Sequence, residues 1–111
     1  MNDESQLQIP RSFMDLYLPR GRTRPIESRQ SIAARHDLCE DMAQMLTEHA
    51  RATLIGLGVT ENIVLDRVHR GLLADRSVVS RDEARWVTWR LAELLGWPQP
   101  EIAPDEPSPL R

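Results

Sequence analysis

Lysine is absent from this chain: all 14 basic residues among its 111 are arginine. A phosphate-binding loop of the G-x-x-x-x-G-K-[ST] type is thereby excluded, because its lysine must reach the phosphates. Schiff-base chemistry goes with it, since that needs a primary amine on a side chain. Base composition in a GC-rich genome accounts for the bias without a functional reason. Cysteine is reduced to Cys39, so no internal disulfide can form. No apolar run reaches the roughly 18 residues of a membrane span. The start, Met1-Asn2-Asp3-Glu4, is made acidic by Asp3 and Glu4 where a secretory signal would be basic and then apolar. Together these absences lead us to expect a cytoplasmic protein of bacterial type.

Charge of either sign is nearly balanced, with a net of −3. Its distribution is uneven: residues 1–35 carry +2, residues 36–75 carry −4, residues 76–100 carry +1 and the last eleven carry −2. A chain held to nucleic acid by counterion release normally has a stronger basic excess.

The periodicity is helical throughout. Phe13, Leu16 and Tyr17 sit at i, i+3, i+4 between Pro10 and Pro19, which predicts a short helix in an N-terminal arm. Pro19, Gly21, Pro25 and three arginines, Arg20, Arg22 and Arg24, read as an extended connector. A long helix is predicted from Ser28 or Ser31 to Leu57, stopped by Gly56 and Gly58, with Leu38, Cys39, Met42, Met45, Leu46, His49, Ala50 and Thr53 as its apolar stripe. Thr60 caps a second helix carrying Val64, Leu65, Val68 and Leu72. Ser80 and Glu83 form a capping box that opens a third, ending at Gly96. From Pro98 onward, five prolines with acidic neighbours predict a disordered tail.

The expected fold is therefore all-α: a small three-helix domain over 28–97 with one long helix, an N-terminal arm over 1–27, and a Pro-rich acidic tail over 98–111. Leu38, Met42, Met45, Leu46, Val64, Leu65, Val68, Leu72, Val87, Leu91 and Leu94 are its expected core. Because the long helix overhangs the others and the core is small, a homodimer is expected.

Chemistry-bearing clusters are incomplete. His36, Cys39 and Glu40 share a helical turn, but zinc wants about four ligands and only His49 and His69 remain, far along the chain. Asp66 and His69 resemble half of a di-iron helix motif that needs two such helices and two further glutamates. On the plainer reading Cys39 is a small buried residue, His36 a surface residue and His49 a core residue bonded to a neighbour. No nucleophile elbow or cysteine–histidine signature occurs. No catalytic, cofactor or metal residue is assigned, and an enzyme is not expected.

Five aromatics remain, Phe13, Tyr17, Trp86, Trp89 and Trp97, all in the arm or on or just after the third helix. Trp86 and Trp89 fall opposite the Ala84, Val87, Leu91, Leu94, Leu95 stripe, where a surface helix should be polar. Either Phe13, Leu16 and Tyr17 dock on them, or arm and indoles bind a partner separately. Phe13, Leu16, Tyr17, Arg85, Trp86, Trp89 and Arg90 are thus the candidate partner-binding residues of an adaptor or regulator that binds another protein. The alternative is a small helix-turn-helix-like DNA-binding regulator, with Arg81, Arg85 and Arg90 toward the duplex and the arginine connector as a minor-groove arm. Its turn is longer than usual, and tryptophans occupy positions where short polar side chains read bases.

Ile9-Pro10-x-Ser12-Phe13, the run Ala33-Ala34-Arg35-His36-Asp37-Leu38-Cys39-Glu40-Asp41-Met42-Ala43, and Arg70-Gly71-Leu72-Leu73-Ala74 form a further pattern. With Glu83-Ala84-Arg85-Trp86-Val87 and Leu91-Ala92-Glu93-Leu94-Leu95-Gly96-Trp97, it resembles short bacterial all-helical proteins, some of them labelled "ATPase with chaperone activity". The likeness covers about residues 9–98 and implies a chaperone-linked or adaptor role. ATP hydrolysis, which the label also implies, is at odds with a chain that has no lysine-bearing phosphate loop and no evident magnesium aspartate after a strand.

Overall fold

The computed structural model describes residues 9–18, 27–75 and 77–102. Among them the protein is all-helical, with no strand. The arginine connector, the first eight residues, and residues 103–111 of the acidic tail lie outside the described residues.

Each helix boundary follows from local chemistry. Helix α1 (Arg11–Met14) starts where the Pro10 carbonyl accepts from the Phe13 and Met14 amides, and it runs into a 3₁₀ turn over Asp15–Tyr17. Helix α2 (Arg29–Leu57) is capped by Ser28, whose Oγ accepts from the Ser31 amide at 3.1 Å. Gly58, left-handed at φ 64°, ends it by donating to the Leu54 carbonyl. Gly56 takes no part in that stop. Helix α3 (Glu61–Ala74) begins at Thr60, and α4 (Arg81–Leu95) at the predicted Ser80–Glu83 capping box. Gly96 at φ 73° closes α4, with the Trp97 amide reaching back to the Ala92 carbonyl.

Helix α4 lies in the middle. It packs on both α2 and α3, and the contact between α2 and α3 is thinner. One core cluster joins Ile32, Cys39 and Ala43 of α2 to Ala84, Trp86 and Val87 of α4, with Phe13 of the arm and Val79 of the turn. A second joins Ala50 to Val64, Leu65, Leu91 and Ala92. The arm is thus a structural part of the core.

Two expected core residues of α2 lie outside: Leu38 is 37% exposed and Met45 is 74% exposed. Met42, Leu46, Val68, Leu72 and Leu94 are half-buried, and His49 is exposed. The buried side runs instead through Ile32, Ala33, Cys39, Ala43 and Ala50. The apolar sector of α2 is wider than one neighbour can cover. Trp86, Val87 and Leu91 of α4 pack on the side of α2 that carries the small residues Cys39, Ala43 and Ala50, which leaves the edge bearing Leu38 and Met45 outward.

Candidate functional site

Glu83 is the side chain on which the arm end of the molecule converges. It is 3% exposed. Its Oε1 accepts from the Ser80 amide at 2.8 Å, completing the cap, and from Arg35 Nη2 at 2.7 Å. Oε2 accepts from Arg35 Nε at 2.9 Å and from the Tyr17 hydroxyl. Arg35 also donates to the Val78 carbonyl at 2.7 Å. One carboxylate therefore ties together α2, α4, the preceding turn and the arm. Burial works to raise its pKa, but the bonds from Arg35, Tyr17 and Ser80 outweigh burial and hold it below the usual carboxylate range. Burial, and then Glu83, push the Tyr17 phenol well above its ordinary value. Its bonds to Glu83 raise Arg35 in turn, against the opposing effect of burial.

Above this node the aromatic side chains gather. Phe13, fully buried, meets Trp86 edge-on at 5.0 Å between ring centroids, His36 at 5.3 Å and Tyr17 at 5.6 Å. Trp86 Nε1 donates to Ser12 Oγ at 2.9 Å, so the indole is satisfied at both its apolar and polar ends. The arm covers Trp86 from within the chain, and Phe13 and Trp86 have no free surface for a partner in this conformation. Leu16 and Tyr17 are half-buried beside them. His36, expected at the surface, is half-buried against this aromatic cluster; desolvation lowers its pKa, although Glu40 and Asp37 pull the other way.

Trp89 is covered by a different segment. Its Nε1 donates to the Pro100 carbonyl at 3.1 Å, Gln99 Nε2 donates to the Trp89 carbonyl, and the Arg85 guanidinium stacks 5.1 Å from its ring. The first part of the segment expected to be disordered is thus placed: Gln99 and Pro100 are held on α4 by these two bonds, and residues 98–102 also border α3. Arg85 is nearly buried, 3.6 Å from Asp82, and Arg90 pairs with Glu40 at 2.9 Å and with Glu93. Of the helix arginines in the DNA-binding alternative, Arg90 is thereby occupied by carboxylates of the same chain, and Arg85 is folded down beside Trp89 with its Nε and Nη1 buried and unbonded, which weakens that reading.

The remaining reactive groups are inert in their settings. Cys39 is fully buried, and burial followed by the charge of Glu83 pushes its thiol up to about 12, far from thiolate chemistry. No group of three His, Cys, Asp or Glu among the described residues is placed to hold a metal ion. None of their helices is long and apolar enough to cross a membrane.

Exposed apolar surface is concentrated on the opposite side. An open groove of about 910 Å³ runs between the C-terminal half of α2 and the length of α3, with Leu46, Thr53, Val64, Val68 and Leu72 among its walls and His49, Ala52 and Gly56 along its rim. Leu38 and Met45 continue the rim along α2, and Leu57 and Ile63 stand exposed near the connection to α3. Helical periodicity alone turns Leu38, Met45 and His49 inward and so hides this face. The excess width of the α2 apolar sector was the signal available. For the Arg35–Glu83–Tyr17 node, residues 48 and 66 apart carry no such signal.

No family model, curated protein or solved structure matches the chain.

Proposed function

We propose that the protein is a non-catalytic cytoplasmic interaction module that binds another polypeptide through the open face of α2 and α3. The observation that carries this reading is the groove, apolar along α2 and flanked by Arg67 and Arg70 on α3, together with the exposed side chains of Leu57 at its end and of Leu38 and Met45 further along α2. An apolar face of this extent costs solvation free energy and is retained in proteins where something binds it. The arm and α4 serve the module from within, holding α2 at a fixed angle through Phe13, Trp86 and Glu83. A chaperone-linked adaptor is the form of this reading that the sequence resemblance favours.

The test is capture from a bacterial cytoplasmic extract on immobilised full-length chain, beside a Met45→Glu variant whose folding is verified by its helical circular dichroism. A bound polypeptide, the same chain included, retained by the first and lost from the second supports the reading. Equal capture by both, or none by either together with no self-association, overturns it. An ATPase activity that co-purifies with the chain and disappears in a point variant would overturn the non-catalytic part.

A further inference from the structure

The exposed rim of α2 has a regular spacing. Leu38, Met42, Met45, His49, Ala52 and Gly56 follow one another at intervals of four and three, the seam positions of a heptad repeat, all of them exposed except Met42, which is half-buried. None of them is charged. Asp41 and Glu48 border them on one side, and the other side opens into the groove. Large residues occupy the N-terminal half of the seam, and small ones the end of the C-terminal half.

We propose that this seam is occupied by α2 of a second copy, running antiparallel about a two-fold axis level with Thr47. The inference rests on the interaction-module reading and names its occupant. Antiparallel pairing sets each d-type position against an a-type position of the other helix. In this register Leu38 faces Gly56 of the second copy, Met42 faces Ala52, and Met45 faces His49. Every layer is repeated by the symmetry, and the two outer layers match a large side chain with a small one, as close packing requires. A parallel pair would instead stack His49 on His49 and leave gaps at Ala52 and Gly56.

The glycines supply a second, independent argument. A methyl group added at Gly56 or Gly71 meets open space, and neither residue has a positive φ. Nothing inside the chain requires glycine at either position. Both line the same groove. Against a second α2 they have a use: Gly56 receives Leu38, and Gly71 lets a backbone approach α3.

The size of the contact limits its strength. The seam is about 27 Å long at 1.5 Å per residue. A strip that long and up to two helix diameters wide gives roughly 1,000 Å² buried over both copies, the low end for a specific interface. Association in the micromolar range is therefore expected. The register carries one cost, because Glu48 of each copy lies beside the axis and meets its own counterpart. Added salt and Glu48→Gln should both tighten the dimer.

Sedimentation equilibrium of the full chain from 1 µM to 1 mM tests the proposal, with Met45→Glu and Glu48→Gln alongside. Wild type should dimerise, Met45→Glu should stay monomeric with unchanged helical content, and Glu48→Gln should associate several-fold more tightly. Oxidative cross-linking then reads the register. Leu38→Cys mixed with Gly56→Cys should give a disulfide-linked dimer, and neither variant alone should. A wild type that stays monomeric at 1 mM, a Met45→Glu variant that still dimerises, or Leu38→Cys cross-linking to itself would overturn the proposal. A monomer that captures a different protein, lost in Met45→Glu, overturns it too but leaves the interaction-module reading standing.

Discussion

Replacing Glu83 by glutamine keeps its volume and one cap acceptor but removes the charge that Arg35 and Tyr17 both meet. The expected loss is about 1–3 kcal/mol. It stays below the cost of breaking a fully buried pair because the Arg35 side chain, 38% exposed, can recover solvent. Denaturant unfolding of Glu83→Gln measures it. The pH dependence has a definite sign. Glu83 sits below the ordinary carboxylate pKa in the folded state, so its stabilisation is complete above about pH 4.3 and is lost as pH falls through the folded value. The gap between wild type and Glu83→Gln should therefore stay constant at neutral and mildly acidic pH and close only as pH falls below about 4.3. His36 acts in a higher window. With a folded pKa below that of the free side chain, it stays neutral while the unfolded chain protonates, so stability falls as pH drops below about 6.5. Burial lowers His69 in the same way, so His36→Gln should reduce the slope of stability between about pH 6.5 and 5 without abolishing it.

Among elements, the arm matters beyond its length because a four-residue helix places Phe13 in a core otherwise made by α2 and α4. Phe13→Ala and Trp86→Ala should each cost about 3–5 kcal/mol. In contact at 5.0 Å, they should couple by about 0.5–3 kcal/mol in a double-mutant cycle read by urea unfolding. Additive losses would contradict the docking of arm on helix. Fluorescence separates the two indoles, since different segments cover them. Deleting residues 1–18 should shift Trp86 emission to the red, and truncation after Trp97 should do so for Trp89. The two shifts should sum.

The molecule measures 48 × 44 × 25 Å, about two helices thick in its short dimension. With α4 packed against both α2 and α3, no described element remains to cover the far side of α2. That side should behave as surface in the isolated chain. Met45→Gln, measured at sub-micromolar concentration, should change stability by no more than about 0.5 kcal/mol. Leu91→Ala, at a fully buried position, should cost about 2–5 kcal/mol. Similar losses at the two sites would mean that α2 turns the other edge of its apolar sector inward.

Much of this was legible along the chain because it is decided locally. Ser28, Thr60 and Ser80 cap helices with their own side chains, and Gly58 and Gly96 end them through a φ that other residues avoid. Spacing alone also marked Val87 and Leu91 as core, and the aromatic content of the arm pointed to a cover for Trp86; it did not show that Trp86 shares a core cluster with Val87 or that Gln99 and Pro100, not the arm, cover Trp89. What only the tertiary structure decided is which edge of α2 faces α4, and hence whether Met45 or Ala43 is core. The apolar sector is too broad for periodicity to choose, and close packing against large α4 side chains selected the smaller residues. The same step brought Glu83, legible as a cap and nothing more, beside Arg35 and Tyr17, because a charge pair across three elements exists only once the helices have met.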